Sequence, residues 1–263
     1  MLDWTRDINS KQWKTFIAAF LGWTLDAMDL LLYVFAFKFI AQSFDLNPTQ
    51  AAFLFSITLA SSALGGIVFG IISDYVGRIR ALTYSILIYS LFTMFSAFAP
   101  TIGFFIVCRF LLGLGMGGEW ASGEILVAES WPKQHRGKVV GMVQSGWGFG
   151  FILAAILATF VLPITSFNLN MLPFFDKDFP VESWRVLFFL GVLPALLVFY
   201  VRRVCEEPEI WRKSSAERNR TKQEFTLLQI FKGDLRPMLI KATLLTSFCM
   251  ISYWGLSYFV PNY

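Results

Sequence analysis

Residues 109–132 read RFLLGLGMGGEWASGEILVAESWP, an apolar, glycine-rich run that carries one arginine and three glutamates. At about 100° per residue, an α-helix brings five of these side chains into an arc of about 80°: Arg109, Gly113, Gly117, Trp120 and Glu124. Glu119 falls about 80° beyond Arg109, on the flank of the arc. Inside a bilayer each ionisable residue costs about 2.5–3.5 kcal/mol on insertion scales, so it normally faces a bundle interior or an aqueous cavity. Whether the charged side chains of residues 109–132 are ordinary surface residues or line an interior site therefore depends on whether this segment lies in a membrane.

The composition indicates a membrane protein. The 263-residue chain is 56% hydrophobic and only 15% charged, with 29 Phe, whereas about 25% of residues are charged in an average protein. Apolar runs of about 18 residues or more recur, each long enough to cross a hydrocarbon core about 30 Å thick. We predict an all-α, polytopic membrane protein with seven transmembrane spans, at 16–39, 51–73, 81–99, 103–128, 139–162, 185–204 and 239–260.

The positions of lysine and arginine predict the orientation of these spans. With the N-terminus in the cytoplasm, 18 of the 22 basic residues fall on the cytoplasmic side. The opposite side keeps Lys38, Lys177 and Arg185, the last beside Trp184 as an expected interfacial anchor of span 6. This asymmetry explains the net charge of +4 without a nucleic-acid partner. It predicts a multi-pass protein of the inner or plasma membrane, with an outward loop at 162–183.

Span 1 contains GWTLDAMDLLLY, residues 22–33. Asp26 and Asp29 project from one helix face together with Gly22 and Tyr33. Asp26 is about ten residues into the helix, roughly 15 Å and near the midplane. Two carboxylates close together at low dielectric do not both ionise readily, so the pair is expected to bind a proton or another ion. The alternative is a pair of neutral or ion-paired structural residues.

Span 2 ends in GIISDYVGRIR, from Gly70 to Arg80. Asp74 sits at a helix end, Gly77 permits a tight turn, and Arg78 and Arg80 face the cytoplasm. The spacing G-x3-D-x2-G-R-x-R resembles the cytoplasmic loop motif between helices 2 and 3 of the major facilitator superfamily.

Other segments carry the same resemblance. Arg109 with Gly113, Gly115 and Gly117 resembles the helix 4 motif of that superfamily. GWTLDAMD, GMGGEWASGE and ESWPKQHRGK resemble more narrowly the sialate–proton symporter family, which includes sialic acid and lactate or monocarboxylate carriers. Members of the superfamily have twelve helices in two halves. The resemblance therefore implies a six-helix N-terminal bundle at 1–204, a central cytoplasmic linker at 205–237, and helix 7 at 238–263 as the start of a truncated C-terminal bundle.

The resemblance also implies a function and a site. The expected function is proton-coupled symport of an organic carboxylate by alternating access, with the proton, the organic anion and the lipid bilayer as partners. Spans 1 and 4 occupy equivalent positions in two three-helix repeats, and both carry charges, so the site is expected between them. Proton coupling is assigned to Asp26, Asp29, Arg109, Glu119 and Glu124, and substrate binding to Arg109, Tyr33, Trp120 and Gln144.

A cytoplasmic gate is expected where the loop motif meets the linker. Glu206, Glu207 and Glu209 beside Pro208 resemble the acidic motif of the superfamily, and are expected to pair with Arg78, Arg80 or Arg136 in one transport state. Exposed ion pairs contribute about 0–1 kcal/mol each, so such a latch breaks readily. The predicted gate comprises Gly70, Asp74, Gly77, Arg78, Arg80, Glu129, Arg136, Glu206 and Glu209.

Other classes of protein are considered as alternatives. A retinal-binding seven-helix receptor needs a lysine in the middle of span 7, whereas Lys241 lies at its start. A non-transporting half, or a subunit that needs a second half, is an alternative because the chain stops after span 7. No phosphate loop, metal cluster or catalytic triad is found, so neither an enzyme nor a cofactor is expected. The single His135 is expected to be a solvated loop residue.

Overall fold

The computed structural model describes residues 8–164, 182–221 and 235–259 of the chain, and every regular element within these ranges is helical. The loop predicted at 162–183 and the linker predicted at 205–237 lie partly outside the described residues, as does residue 260 of span 7. The helices are α1 (Ser10–Ser43), α2 (Pro48–Val76), α3 (Arg78–Ala97), α4 (Ile102–Ser130), α5 (Arg136–Gln144), α6 (Gly146–Val161), α7 (Ser183–Leu190), α8 (Pro194–Val204), α9 (Glu209–Thr221) and α10 (Leu235–Phe259), with a 3₁₀ turn at Lys133–His135.

The described residues contain seven helical stretches that are long and apolar enough to cross a membrane, which confirms the predicted number of spans. Helices α1 to α4 form one span each, and α10 forms the seventh. The fifth span is divided between α5 and α6 at Ser145, and the sixth between α7 and α8 at residues 191–193. Pro194 explains the second break, because it has no N–H to donate to the preceding turn.

Helix starts follow capping signals in the sequence. The Asn9 side chain accepts the Gln12 N–H at 2.9 Å, and the Gln12 side chain accepts the Asn9 N–H at 2.8 Å. Asn47 and Gln50 make the same reciprocal pair before α2. Such capping boxes satisfy N–H groups that have no partner within the helix. They place the starts of α1 and α2 a few residues before the apolar runs from which the spans were predicted.

Helix α4 is the centre of the bundle, and its glycines allow close approach of its neighbours. A Cβ on Gly113 would overlap Ser61 of α2, and a Cβ on Gly115 would lie 2.6 Å from the Tyr89 backbone nitrogen of α3. A Cβ on Gly117 would overlap the Ser62 carbonyl of α2. Small residues permit this spacing between helices in lipid, where packing rather than water exclusion drives association. Helix α4 is thereby locked between α2 and α3, and this fixes the position of Arg109.

The chain divides into two compact units, Met1–Ser215 and Ala216–Tyr263. In the first unit, the described helices α1 to α8 form the bundle that contains the candidate site. In the second unit, α10 presents its described side chains to the outside over Leu235–Ser252, as Phe248 illustrates at 67% exposure.

Candidate functional site

Asp26 and Asp29 both face the interior of the bundle, as their spacing predicts. Asp26 is fully buried and Asp29 is 2% exposed. Asp26 accepts a hydrogen bond from the Trp120 indole N–H of α4, and Asp29 accepts one from the Thr93 hydroxyl of α3. The second oxygen, Oδ1, of each carboxyl group has no hydrogen-bond partner within the described residues. The two acids thus connect α1 to two different helices and retain unused acceptor capacity.

Arg109 lies in an aromatic cage. Its Cζ atom is 4.4 Å from the ring centroid of Phe188, 4.7 Å from that of Tyr33 and 5.0 Å from that of Phe105. The residue is 1% exposed, and its Nε and Nη2 atoms have no hydrogen-bond partner among the described residues. Cation–π contacts are worth about 2 kcal/mol or more each when desolvated. Aromatic rings therefore hold the guanidinium in place, while Nε and Nη2 make no hydrogen bond to any residue that the structure describes.

Arg109, Asp26 and Asp29 are assigned together to proton coupling from the sequence, but Arg109 forms no ion pair with either aspartate in this structure. Within the described ranges, no nitrogen of Arg109 lies within 4.0 Å of a carboxylate oxygen of Asp26 or Asp29. The sequence does not reveal this because Phe188 belongs to α7, far along the chain, and reaches the arginine only in the folded bundle.

Glu119 fills a slot formed by two glycines. A Cβ on Gly22 of α1 would lie 2.7 Å from Glu119 Oε1, and a Cβ on Gly123 would lie 3.2 Å from the same atom. Glu119 is 2% exposed, and its Oε2 has no hydrogen-bond partner in the described part of the chain. One turn further along α4, Glu124 accepts a hydrogen bond from the amide of exposed Gln144. Gln144, a predicted substrate contact, is therefore hydrogen-bonded to Glu124, a predicted proton-coupling residue.

Three tryptophans pack together beside Asp26. Trp120 lies 5.4 Å from Trp23 and 6.5 Å from Trp147, between ring centroids, and Trp23 lies 5.7 Å from Trp147. Sequence reasoning assigned no role to Trp23 or Trp147. The spacing of span 1 could have identified Trp23 as a neighbour of Asp26, because it stands three residues before Asp26 and so shares its helix face. No sequence pattern links Trp147 to Asp26, since Trp147 belongs to α6.

The structure places Asp74, Arg78 and Glu129 together at the turn between α2 and α3. Arg78 binds Glu129 in a bidentate manner, at 3.0 Å from Nε and 2.8 Å from Nη2. Its Nη1 donates to Asp74 at 2.5 Å and to the Ser73 hydroxyl at 3.2 Å. The Arg78 side chain is only 8% exposed. One buried guanidinium therefore joins α2 and α3 to the end of α4.

The linker reaches this turn through Glu207. Its carboxylate accepts the N–H groups of Arg78 at 2.8 Å and Ile79 at 3.1 Å, at the start of α3. Burial raises the pKa of Glu207, and the backbone donors oppose that shift. Gly77, with φ of 111°, is required here because a Cβ would overlap the Glu207 carboxylate. The gate predicted from the sequence includes Gly77, Glu206 and Glu209 but omits Glu207, which is the acid that contacts the start of α3.

Other predicted gate residues are not brought together. Glu206 pairs with Lys11 at 2.9 Å and lies 4.0 Å from Arg212, rather than pairing with the arginines predicted for it. Arg136 donates from Nε to the Trp131 carbonyl at 3.1 Å. Arg80 and Glu209 are exposed, and nothing lies within 4 Å of a Cβ built on Gly70.

Two expectations about exposed residues are wrong. Trp184 is fully buried, where its ring packs on Phe105 at 5.9 Å, and Arg185 donates to the carbonyls of Ala97 at 3.0 Å and Ala99 at 2.9 Å. Arg185 thus caps the end of α3, while the Trp184 indole N–H donates to Ser43 and Glu182. Both side chains face the bundle instead of being exposed. His135 is 8% exposed and therefore buried, because the 3₁₀ turn folds it against the bundle.

The chain resembles known transporters over nearly all of its length. It is 30% identical over 262 residues to the sialic acid transporter NanX of Escherichia coli, covering 99% of this chain and 59% of that protein. It is 31% identical over 261 residues to the cis,cis-muconate transport protein of Acinetobacter baylyi, covering 97% of this chain and 59% of that protein. The chain spans about half to three-fifths of the length of the curated relatives it matches.

Solved structures show the same fold. The structure of a bacterial homolog of the human lysosomal transporter Spinster, in an inward-facing and occupied conformation, superposes with a TM-score of 0.69 at 20% identity. That match covers 76% of this chain and 46% of the other. The family model of the Major Facilitator Superfamily matches residues 15–263. The chain is therefore a multi-pass membrane protein that belongs to the Major Facilitator Superfamily.

Proposed function

We propose that this chain forms the N-terminal part of a proton-coupled secondary transporter that carries an organic carboxylate, such as sialate or lactate, by alternating access. The observation that carries the proposal is the buried Arg109, whose Nε and Nη2 make no hydrogen bond within the described residues. It lies in one bundle with the buried acids Asp26 and Asp29. Ionisable residues within membrane spans are rare because they are costly there, and they commonly mark substrate or proton pathways.

The proposed organisation keeps the domains expected from the sequence. Residues 1–204 are assigned to the N-terminal bundle, 205–237 to the central linker, and 238–263 to the first helix of the C-terminal bundle. In such transporters the substrate binds near the midplane between the two bundles, and rocking of the bundles exposes the site to one side at a time.

Proton coupling is proposed to arise from competition for Arg109. While Asp29 is ionised, its negative charge attracts the guanidinium and offsets the cost of burying both charges. When Asp29 binds a proton, that attraction is lost and Arg109 is left as an uncompensated positive charge. A substrate carboxylate then supplies the missing negative charge and accepts hydrogen bonds from Arg109. The proton and the anion thus favour binding of each other, which is the requirement for symport.

Neighbouring residues are assigned supporting roles. Tyr33 stacks on Phe55 with ring centroids 5.9 Å apart and carries Arg109 over its ring. Trp120 holds Asp26 through its indole N–H. We assign Glu119 and Glu124 to a proton relay, and Gln144 to the substrate side of the cavity.

The relatives support a carboxylate as the substrate class. Two of them are named as transporters of sialic acid and of cis,cis-muconate, and both of these compounds carry carboxylate groups. Arg109 suits a carboxylate ligand, because a guanidinium binds a carboxylate in a planar, two-point contact. Its Nε and Nη2 make no hydrogen bond to the described residues.

The Arg78 network is proposed to act as the cytoplasmic latch. It joins α2, α3 and the end of α4, while Glu207 ties the linker to the same turn. Its carboxylates are partly exposed, at 29% for Asp74 and 18% for Glu129, so water is available to replace the pairs when the gate opens.

Uptake into proteoliposomes tests the proposed function. Labelled sialate and labelled lactate are offered with and without an inward proton gradient, to the wild-type chain and to Asp29→Asn. We expect uptake of at least one acid to rise with the gradient in the wild type and to be lost in Asp29→Asn. Asp45→Asn is the matched control, because Asp45 is exposed just after the end of α1. Uptake that does not increase with the proton gradient, or that Asp29→Asn retains, would contradict the proposal.

A further inference from the structure

A basic pocket opens at the predicted cytoplasmic ends of α3 and α8. It has a volume of about 340 Å³, and three arginines line it: Arg80 from α3, Arg202 from α8 and Arg212 from α9. Tyr84 lies at the pocket on the α3 side. The candidate transport site does not include this pocket, because none of the residues around Arg109 lines it.

The acidic side chains of the pocket already have partners. Glu207 accepts two backbone N–H groups at the start of α3. Glu206 binds Lys11 at 2.9 Å, and this hydrogen bond lowers the pKa of Glu206. Burial raises the pKa of the Cys205 thiol to about 11, so the thiol stays neutral. Arg212 lies 4.0 Å from Glu206, so Arg80 and Arg202 are the arginines of the pocket that remain available.

Arg80 and Arg202 form no ion pair with the carboxylates of the pocket. Over residues 8–164 and 182–221, neither forms an ion pair within 4.0 Å or a side-chain hydrogen bond. Both are exposed and line the same pocket. Two unpaired guanidinium groups beside one cavity create a positive potential that favours an anion.

The surface next to the pocket is apolar. On α3, Tyr84 is 51% exposed, and Leu91, two turns further on, lies on the same face. On α8, Phe199 is 74% exposed and lies three residues before Arg202. Helix α3 forms one candidate span and α8 the second half of another, so these exposed apolar side chains are expected to face lipid chains next to the arginines.

We propose that this pocket binds the phosphate headgroup of an anionic phospholipid from the cytoplasmic leaflet, with its acyl chains on the apolar surface of α3 and α8. Arginine matches phosphate through paired N–H donors, and basic pockets between spans on the cytoplasmic side suit anionic headgroups. A soluble phosphate would satisfy the arginines but not the apolar surface. The inference does not depend on the transported substrate.

Binding of short-chain lipids to the detergent-purified full chain tests the proposal. The probes are dioctanoyl-phosphatidylglycerol, dioctanoyl-phosphatidylcholine and glycerol 3-phosphate. We expect phosphatidylglycerol to bind at least tenfold more tightly than phosphatidylcholine, and glycerol 3-phosphate to compete at least a hundredfold more weakly. Comparable binding of glycerol 3-phosphate and phosphatidylglycerol would identify a soluble-phosphate site and overturn the lipid proposal.

Matched variants separate the pocket from general surface charge. Arg80→Gln and Arg202→Gln are each expected to weaken phosphatidylglycerol binding about tenfold. Arg203→Gln is expected to change it less than twofold, because Arg203 is exposed but does not line the pocket. An equal loss in all three variants would overturn the proposal. Because Arg80 and Arg202 make no ion pair in the described residues, unchanged thermal unfolding serves as the check on folding.

Discussion

Replacing Arg78 with glutamine should destabilise the bundle at the turn between α2 and α3. The substitution Arg78→Gln removes two hydrogen bonds to Glu129, at 2.8 and 3.0 Å, one to Asp74, at 2.5 Å, and one to the Ser73 hydroxyl, at 3.2 Å. It leaves two carboxylates close together without their shared cation. The matched control is Arg80→Gln, two residues away, where the side chain is exposed and makes no ion pair within the described residues.

The size of the effect follows from burial. Removing one partner of a fully buried ion pair costs about 3–5 kcal/mol. The Arg78 side chain is 8% exposed, but Glu129 and Asp74 are 18% and 29% exposed, so water recovers part of that cost. We therefore expect Arg78→Gln to lower the free energy of unfolding by about 2–3 kcal/mol. At about 2–4 °C per kcal/mol for a chain of this size, the melting temperature should fall by about 5–10 °C.

Thermal unfolding in detergent, followed by tryptophan fluorescence, measures the effect. Arg80→Gln should shift the melting temperature by less than about 2 °C, as expected for an exposed surface residue. A double-mutant cycle with Glu129→Gln should give a coupling energy of about 1–3 kcal/mol. Equal shifts for the Arg78 and Arg80 variants, or a coupling energy near zero, would refute the inference that Arg78 holds the three helices together.

Two further predictions concern a turn and the cage. Gly77→Ala should lower the melting temperature by several degrees more than Gly103→Ala. Gly77 has a φ of 111° and faces the Glu207 carboxylate, whereas nothing lies within 4 Å of a Cβ on Gly103. Thermal unfolding measures both variants, and similar shifts in melting temperature would contradict this prediction. Arg109→Lys should reduce gradient-driven uptake into proteoliposomes at least tenfold, because an ammonium lacks the planar guanidinium face that lies against three rings. Uptake by the Arg109→Lys variant at the wild-type rate would argue against a role for the guanidinium.

The membrane spans and the inward-facing acids could be predicted from the sequence because they depend on local patterns. Hydropathy alone gives seven spans, since each helix must cross the same hydrocarbon thickness. Helical periodicity places Asp26 and Asp29 on one face, and the bundle buries that face. The turn at Gly77 was also predictable, because its surrounding motif is contiguous.

Features that depend on contacts between distant segments could not be predicted. The cage around Arg109 needs Phe188, which reaches it only when α7 packs into the bundle. The choice of Glu207 rather than Glu206 at the start of α3 depends on the direction in which the chain leaves α8. Trp184 is of a residue type that often anchors a helix at the membrane interface, and it stands near the start of span 6. Packing on Phe105 nevertheless buries it.

Proton movement driven by the substrate is the most direct test of the proposed coupling. Proteoliposomes are loaded with a pH-sensitive dye at equal internal and external pH, and sialate or lactate is then added outside. The account predicts that the lumen acidifies when the transported acid is added, that Asp29→Asn abolishes the acidification, and that Asp45→Asn retains it. Entry of labelled acid without any acidification of the lumen would contradict the claim that the proton and the carboxylate are carried together.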